Sequence, residues 1–302
     1  MKKGQKTLAC VDTFLEKEYE NIAVFLLEWN GKQDHGEKYW RRPDFLGSHM
    51  KCSYSSVFPP TTVAATTSIR SGLKPCEHGW LGWDCYYPWI DQNVTVFTNM
   101  KTGTSIPAAD YNVAEKYCGY ETVVERINRR GGEAYEVMPF AEPFPKTMEE
   151  ICGQVEMLCR KPGKKYIYAY WNEPDSTMHE TGCYSSQTKQ IMRKLEQQVQ
   201  ALSDKLEKTL LIVTADHGLV DTQNVSITDY PDIMECLVRM PSIEPRALNL
   251  FVKKEKKSSL KKHFGKLLTG AFAADKRQVI EKRLFGVEAE HPDFREMLGD
   301  YL

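Results

Sequence analysis

Short apolar runs separated by segments of helical periodicity dominate the chain and predict an alternating α/β fold. Residues 21–27 (NIAVFLL), 164–171 (KKYIYAYW) and 210–213 (LLIV) have strand length and are rich in β-branched or aromatic residues. Residues 148–159 and 181–208 place apolar side chains at helical spacing. Because the run at 210–213 follows the long polar helix, we expect it to be a central parallel strand that is buried on both faces.

Weaker patterns fill in the remaining elements. A short strand is expected at 53–58, and the two prolines that follow should end it before a helix that begins near Thr62. Residues 74–118 are rich in Gly, Trp, Tyr and Pro, which indicates either an irregular loop lining a substrate cleft or a satellite aromatic core. Further helices or strands are expected at 121–130, 133–138, 232–240, 247–252, 257–268 and 275–284.

This order of elements predicts a polar lead-in over residues 1–20 and a single α/β domain over residues 21–302. A length of 302 residues with 41% hydrophobic content allows one large α/β domain or one domain with an insertion. Forty basic and forty-one acidic side chains give a net charge of −1, which argues against nucleic-acid binding. The lysine-rich segment at 253–266 is accordingly interpreted as a solvated helix face.

Membrane and compartment signals are weak. The sequence has no apolar run of about 18 residues, so no membrane span is expected. The N-terminus has the lysines of a signal peptide but lacks its apolar core, which predicts a cytoplasmic protein. The nine cysteines are scattered and form no CxxC pair, so free buried thiols are expected rather than disulfides or a zinc knuckle.

Side chains with possible chemistry stand where the predicted strands end. The carboxyl ends of strands in open α/β sheets are where ligands bind, so these positions are candidates for an active site. Each also has a structural alternative: a loop glutamate, a helix-capping threonine or aspartate, or a packed histidine. The candidates, in chain order, are Glu28, Thr62, Asp175, His179, Asp216 and His217.

Taken together, these candidates supply one hydroxyl nucleophile and enough carboxylates and imidazoles for two divalent metal ions. The D-x-x-x-H spacing of Asp175 and His179 puts both side chains on one face of a helical turn. Two ions about 4 Å apart can stabilise the attacking and leaving oxygens of a phosphoryl displacement. The set therefore favours metal-dependent phosphoryl transfer.

Three segments resemble the alkaline phosphatase superfamily, and in particular its type I phosphodiesterase/nucleotide pyrophosphatase branch. They are FPPTTVAATTSIRSGLKPCEHG at 58–79, EPDSTMH at 173–179 and TADHG at 214–218. The resemblance implies a three-layer α/β sandwich with a mostly parallel sheet and a hydrolase of phosphodiesters or nucleotide pyrophosphates. In that branch the nucleophilic threonine lies ten residues before a glycine, and counting back from Gly72 gives Thr62. A covalent intermediate on Thr62 is implied.

The same resemblance implies two divalent ions, either zinc or manganese. One would be held by Glu28, Thr62, Asp216 and His217, and the other by Asp175, His179 and a later histidine. A small phosphate ester or nucleotide is the implied partner, with no membrane or nucleic acid, and the oligomeric state is not indicated.

The chain departs from the family pattern at three places. Glu28 stands where an aspartate is usual, and Ala65 stands where a phosphate-binding asparagine is expected. His263 and His291 are the histidines that follow His217, and both fit the last ligand position poorly, so the family's C-terminal segment is expected to be missing. Two alternatives follow: a divergent member with impaired metal binding and little activity, or a phosphomonoesterase or phosphonate hydrolase that uses the same core.

Overall fold

The computed structural model describes residues 8–28, 44–267 and 272–302. The helices in these residues are α1 Ala9–Leu15, α2 Phe45–His49, α3 Thr62–Ser71, α4 Pro75–His78, α5 Val113–Cys118, α6 Val123–Arg129, α7 Met148–Cys159, α8 Asp175–Thr181, α9 Ser186–Ser203, α10 Pro231–Met234, α11 Lys257–Leu267, α12 Lys276–Glu281 and α13 Phe294–Met297. The strands are β1 Asn21–Leu27, β2 Asp84–Tyr87, β3 Gln92–Thr95, β4 Met100–Lys101, β5 Glu133–Val137, β6 Lys165–Trp171, β7 Thr209–Thr214, β8 Ser242–Glu244 and β9 Ala247–Asn249.

The fold consists of two compact units, and each is built from two separate stretches of chain. The first unit contains the described residues of Met1–Ser55 and Val123–Asp221, and the second those of Ser56–Thr122 and Thr222–Leu302. The expected lead-in over 1–20 and the expected single domain over 21–302 stay predictions.

A parallel four-stranded sheet organises the first unit, in the order β5-β6-β1-β7. Asn21 on β1 pairs with Lys165 on β6 and with Thr209 on β7, so β1 has a neighbour on each side. The prediction that β7 is central and buried on both faces is wrong. In the described part of the chain β7 lies at the edge of the sheet and is half-buried along its length.

One side of the first unit's core consists of side chains from β1, which point alternately to the two faces of the sheet. The β1 side chains at every second position pack with apolar residues from α7 and α9, the two helices whose apolar positions recur at helical spacing. Thr147 and Ser185 cap the N-termini of these helices by accepting hydrogen bonds from backbone N–H groups. The buried members of this core are Ala23, Phe25, Leu27, Val137, Met148, Ile151, Val155, Leu158, Ile167, Ala169, Leu195, Val199 and Leu202.

An antiparallel sheet in the order β4-β3-β2-β8-β9 organises the second unit. The prediction of an irregular loop at 74–118 is wrong, because β2, β3 and β4 lie within it. Trp80 and Tyr87 are buried with Phe285 and Phe294 in a core cluster of the second unit, which also contains many aliphatic residues. A role for these residues in lining a substrate cleft stays a prediction.

Two further predictions fail. Residues 53–58 form no strand, and Tyr54 instead makes side-chain contacts: its hydroxyl bonds to Thr214 Oγ1 and donates to the carbonyl of Ala215. Cys10 and Cys52 form a disulfide, contrary to the expectation of free thiols throughout. The spacing of the two cysteines along the chain could not show that the fold brings them together.

Most of the remaining cysteines are buried, as expected, and all of them are free in the described residues. No helix in the described ranges is both long and apolar enough to cross a lipid bilayer.

Candidate active site

The carboxyl ends of β1, β6 and β7 meet at one edge of the first unit's sheet, because the three strands are parallel and adjacent. Glu28 follows β1 directly, Asp216 lies two residues beyond β7, and Asp175 begins α8 after β6. The charges of Asp216 and Asp175 both act on Glu28. The structure therefore brings these three predicted carboxylates together.

Burial makes this group of carboxylates electrostatically unusual. The exposed fractions of Glu28, Asp175 and Asp216 are 4%, 8% and 3%. Burial, followed by repulsion from Asp216, raises the pKa of Glu28 to about 9, and a hydrogen bond from Tyr170 acts in the opposite direction. Burial also raises the pKa of Asp216, although attraction to His217 lowers it. Carboxylates held this close in a low dielectric favour either protons or a cation.

Two histidines lie next to these carboxylates. On α8, His179 Nε2 is 3.4 Å from Asp175 Oδ2, as expected for side chains one helical turn apart. His217 Nε2 is 3.5 Å from Asp216 Oδ2, and the backbone N–H of His217 donates to Asp216 Oδ1 at 2.9 Å. The side chain of His217 is 10% exposed and that of His179 is 70% exposed. His217 is thus held in the site, whereas His179 points largely to solvent.

The donor chemistry of this edge fits a divalent cation. Asp175 Oδ1 is buried and makes no hydrogen bond within the described part of the chain. A buried carboxylate oxygen without a partner is costly unless an ion or proton satisfies it. In the side-chain positions of the described residues, however, no three His, Cys, Asp or Glu groups are arranged so that they could hold an ion. The types of donor fit a metal, and no coordination geometry is assigned.

Thr62 lies in the second unit, at the first position of α3, with Thr61 as the N-cap. The Thr61 side chain does not cap the helix; its hydroxyl donates to Glu244 Oε1, which also accepts the backbone N–H of Trp83 at 2.8 Å. Thr62 is half-buried, whereas Thr61 is buried. Since the N–H groups of a first helical turn have no helical acceptor, Thr62 stands where an anion is favoured.

The sequence profile described as Type I phosphodiesterase / nucleotide pyrophosphatase matches residues 46–286, which is most of the chain and includes Thr62, Asp175 and Asp216. The chain belongs to this family. It is therefore a phosphoric ester hydrolase of the phosphodiesterase/nucleotide pyrophosphatase type, and the resemblance seen in the sequence is confirmed. No curated protein matches the chain.

Solved structures of this family share the fold. Murine ectonucleotide pyrophosphatase/phosphodiesterase 5 superposes with a TM-score of 0.64 at 16% identity, over 94% of this chain and 78% of the murine chain. One of its two structures is an inactive variant in complex with AMP. The human protein of the same name gives a TM-score of 0.62 at 15% identity, over 92% and 77% of the two chains. The predicted fold class, an α/β fold with a parallel sheet flanked by helices, is confirmed.

In this phosphodiesterase-family chain, two residues that no sequence motif indicates contact the predicted site residues or their chain neighbours. Tyr170 donates its hydroxyl proton to Glu28 Oε1, and Glu244 holds Thr61 as described above. Alternation along β6 puts Tyr170 on a definite face, but only the pairing of β6 with β1 shows that Glu28 is its neighbour. Glu244 is 183 residues from Thr61 in sequence, and no local pattern marks it.

Ala65, His263 and His291 stand at positions where the chain departs from the family pattern, and each has local contacts in the structure. Ala65 is buried, and its backbone N–H donates to the carbonyl of Thr61 within α3. His263 lies 3.7 Å from Asp232, and His291 Nδ1 accepts the N–H of Asp293 at 3.3 Å. Each of the two later histidines therefore has a local partner.

His78, in the CEHG turn, is part of the second unit's interior. Burial lowers its pKa to about 3, so the ring is neutral at physiological pH. Its Nδ1 accepts the backbone N–H of Trp80 at 3.0 Å, and Nε2 lies 3.0 Å from Ser68 Oγ. These bonds fix the turn that follows α4.

Proposed function

We propose that the chain hydrolyses phosphodiesters or nucleotide pyrophosphates through a covalent intermediate on Thr62, with two divalent metal ions as cofactors. The observation that carries this proposal is the group of three buried carboxylates, Glu28, Asp175 and Asp216, at the carboxyl edge of one parallel sheet. Membership of the family supports the phosphate-ester substrate. The AMP bound to an inactive murine relative supports a nucleotide as one substrate class.

The reaction begins at the hydroxyl of Thr62. The hydroxyl loses its proton to solvent, its oxygen bonds to phosphorus, and the bond from phosphorus to the leaving oxygen breaks. The leaving group departs with the electron pair and takes up a proton from solvent. Water then attacks the phosphorus of the phospho- or nucleotidyl-threonine and loses a proton to solvent. The bond from phosphorus to Thr62 breaks, and the threonine oxygen keeps the electron pair and takes up a proton to restore the hydroxyl. Backbone N–H groups of the first turn of α3 would stabilise the phosphoryl oxygens during both steps.

The metal ligands are proposed from the family resemblance and from donor chemistry. Glu28, Thr62, Asp216 and His217 would hold one ion, and Asp175 and His179 would contribute to the other. We propose zinc, with manganese as the alternative. A bound divalent ion supplies positive charge that lowers the pKa of a hydroxyl and neutralises phosphoryl oxygens. The buried carboxylates would contribute the negative charge that such an ion requires.

Hydrolysis of bis-p-nitrophenyl phosphate by the purified chain, with and without added zinc or manganese, tests the proposal. We expect release of p-nitrophenol that disappears after treatment with a chelator and returns with one of the two metals. Hydrolysis of p-nitrophenyl phosphate at a higher kcat/KM than the diester would instead assign a phosphomonoesterase. Turnover that a chelator leaves unchanged would disprove the dependence on metal.

The two metal sites are expected to be unequal. One has four proposed ligands within this chain and the other has two, Asp175 and His179, so the second ion should exchange more readily. We expect about one metal ion per chain after gel filtration in metal-free buffer, measured by elemental analysis. His217→Ala should empty the retained site, and His179→Ala should leave the count nearly unchanged. Equal and tight retention of two ions would contradict the prediction.

Glu28→Asp tests whether Glu28 is a ligand. The glutamate carboxylate reaches about one ångström further than that of aspartate, the residue usual in the family, and metal sites tolerate about half an ångström. If the longer side chain displaces the ligand, Glu28→Asp should tighten zinc binding or raise kcat. A tenfold decrease in zinc affinity or in kcat would show that the site has adapted to glutamate. No change in affinity or kcat would remove Glu28 from the ligand set.

The cytoplasmic location expected from the sequence stays a proposal. Disulfides form and persist mainly in oxidising compartments. The Cys10–Cys52 disulfide therefore argues against a cytoplasmic location.

A further inference from the structure

The hydroxyl of Tyr170 is in direct contact with the carboxylate of Glu28. It donates a hydrogen bond to Glu28 Oε1, across the boundary between β6 and β1. Tyr170 pairs with Leu26 in the register of the two parallel strands, and Glu28 lies two residues after Leu26. Because side chains two residues apart point to the same face of a sheet, Tyr170 and Glu28 are diagonal neighbours on that face.

Both partners of this hydrogen bond are fixed by their surroundings. The backbone N–H of Glu28 donates to the carbonyl of Trp171 at 3.3 Å, so the pairing of the strands continues to Glu28 itself. The ring of Tyr170 is half-buried and lies 6.3 Å, centroid to centroid, from the ring of Phe140. The hydrogen bond from the Tyr170 hydroxyl therefore defines the position of one carboxylate oxygen of Glu28.

A glutamate carboxylate needs such a constraint more than an aspartate carboxylate does. Glutamate has one more rotatable bond, and ordering it costs more side-chain entropy. Hydrogen bonds to the ligands of a metal orient them, and their loss typically weakens metal binding by about 10–100-fold. Tyr170 fixes one oxygen of Glu28, and the same carboxyl group also interacts with Asp175 through a side-chain hydrogen bond.

We propose that Tyr170 is a positioning residue that orients Glu28 for metal binding and allows this chain to use glutamate where its family usually has aspartate. This inference rests on the proposed function, in which Glu28 is a metal ligand. Tyr170 acts on the ion through Glu28, to which its hydroxyl donates.

Tyr170→Phe removes the hydroxyl and keeps the ring, and zinc affinity is the readout. We expect the dissociation constant for zinc, measured against a competing chelator, to rise about tenfold. The kcat for bis-p-nitrophenyl phosphate at saturating zinc should stay within about threefold of the wild type, because the occupied site is the same. Tyr166→Phe is the matched control: Tyr166 is a half-buried tyrosine on the same strand and face, and its loss should leave zinc affinity unchanged.

A second pair of variants shows whether the effect passes through Glu28. In a Glu28→Asp background the shorter carboxylate withdraws from Tyr170, so adding Tyr170→Phe should change zinc affinity by less than about twofold. Thermal unfolding of each metal-free variant, followed by circular dichroism, verifies that all of them fold. A tenfold effect of Tyr170→Phe that persists in the Glu28→Asp background would overturn the inference.

Zinc binding and diester hydrolysis by the wild type separate a wrong role for Tyr170 from a wrong function for the chain. A wild type that binds zinc and hydrolyses the diester, combined with a Tyr170→Phe variant of unchanged zinc affinity, overturns the role of Tyr170 and leaves the function intact. A wild type that neither binds zinc nor hydrolyses the diester removes the proposed function, and the role of Tyr170 is removed with it.

Discussion

Replacing Thr62 with alanine is expected to abolish hydrolysis while the fold persists. Loss of the nucleophile in hydrolases that form covalent intermediates typically costs at least about 10³-fold in kcat, because the remaining binding groups cannot supply a reactive oxygen. Thr62 lies at the start of α3, where the substitution removes a half-buried hydroxyl and retains good helix propensity. Steady-state rates on bis-p-nitrophenyl phosphate with added zinc, together with circular dichroism, measure the two properties separately.

Thr61→Ala is the matched control for this experiment. The hydroxyl of Thr61 donates to Glu244, so the variant should lose some stability and a modest part of its activity. Mass spectrometry of acid-quenched reactions should find a phosphoryl or nucleotidyl group on the wild type and none on Thr62→Ala. If Thr61→Ala loses the activity and Thr62→Ala retains it, the nucleophile is Thr61 and not Thr62.

Metal-free protein is expected to lose stability as the pH rises from about 5 to about 8.5. The pKa of Glu28 is raised from 4.5 to about 9 in the folded chain, so between these values the folded state keeps a proton that the unfolded state releases. The contribution of Glu28 to stability is therefore complete below pH 4.5 and is lost as the pH rises toward about 9. With about 1.4 kcal/mol for each pKa unit, the loss over this range is on the order of 5 kcal/mol at most.

Chemical denaturation of chelator-treated protein at both pH values measures this slope. Glu28→Gln cannot ionise, so the part of the pH dependence that Glu28 contributes should vanish in that variant. Asp216, whose pKa is also raised by burial, would leave a slope of the same sign. Added zinc should reverse the trend, because a metal binds the ionised carboxylates and competes with protons. Equal slopes in the wild type and in Glu28→Gln would exclude Glu28 as the source.

Much of the first unit's architecture could be predicted because its signals are local. The apolar run at Asn21–Leu27 and the helical spacing at Met148–Cys159 appear in the structure with the expected bounds. The order of strands in the sheet is not local, so β7 was expected at the centre, whereas it lies at the edge of the described sheet. The disulfide between Cys10 and Cys52 likewise depends on tertiary proximity that the sequence does not reveal.

In the candidate site, the sequence identified the residues at strand ends but not what holds them. Glu28, Asp175 and Asp216 could be chosen because polar residues stop buried runs at the edge where ligands bind. Tyr170 donates to Glu28 across two strands, and Glu244 accepts from Thr61, which is distant in sequence. Such contacts require the register of the sheet, and a single sequence does not provide it.

The position of β1 in its sheet has a consequence for how the chain is made. This apolar strand, NIAVFLL, is synthesised well before its partners, which begin at Lys165 and Thr209. Pairings this distant in sequence form slowly, because a long loop must close before they contribute any stability. Until then a seven-residue apolar segment has both of its hydrogen-bonding edges open, a condition that favours aggregation. The nascent chain is therefore most vulnerable between the emergence of residue 27 and the emergence of residue 214, and slower translation would lengthen that interval.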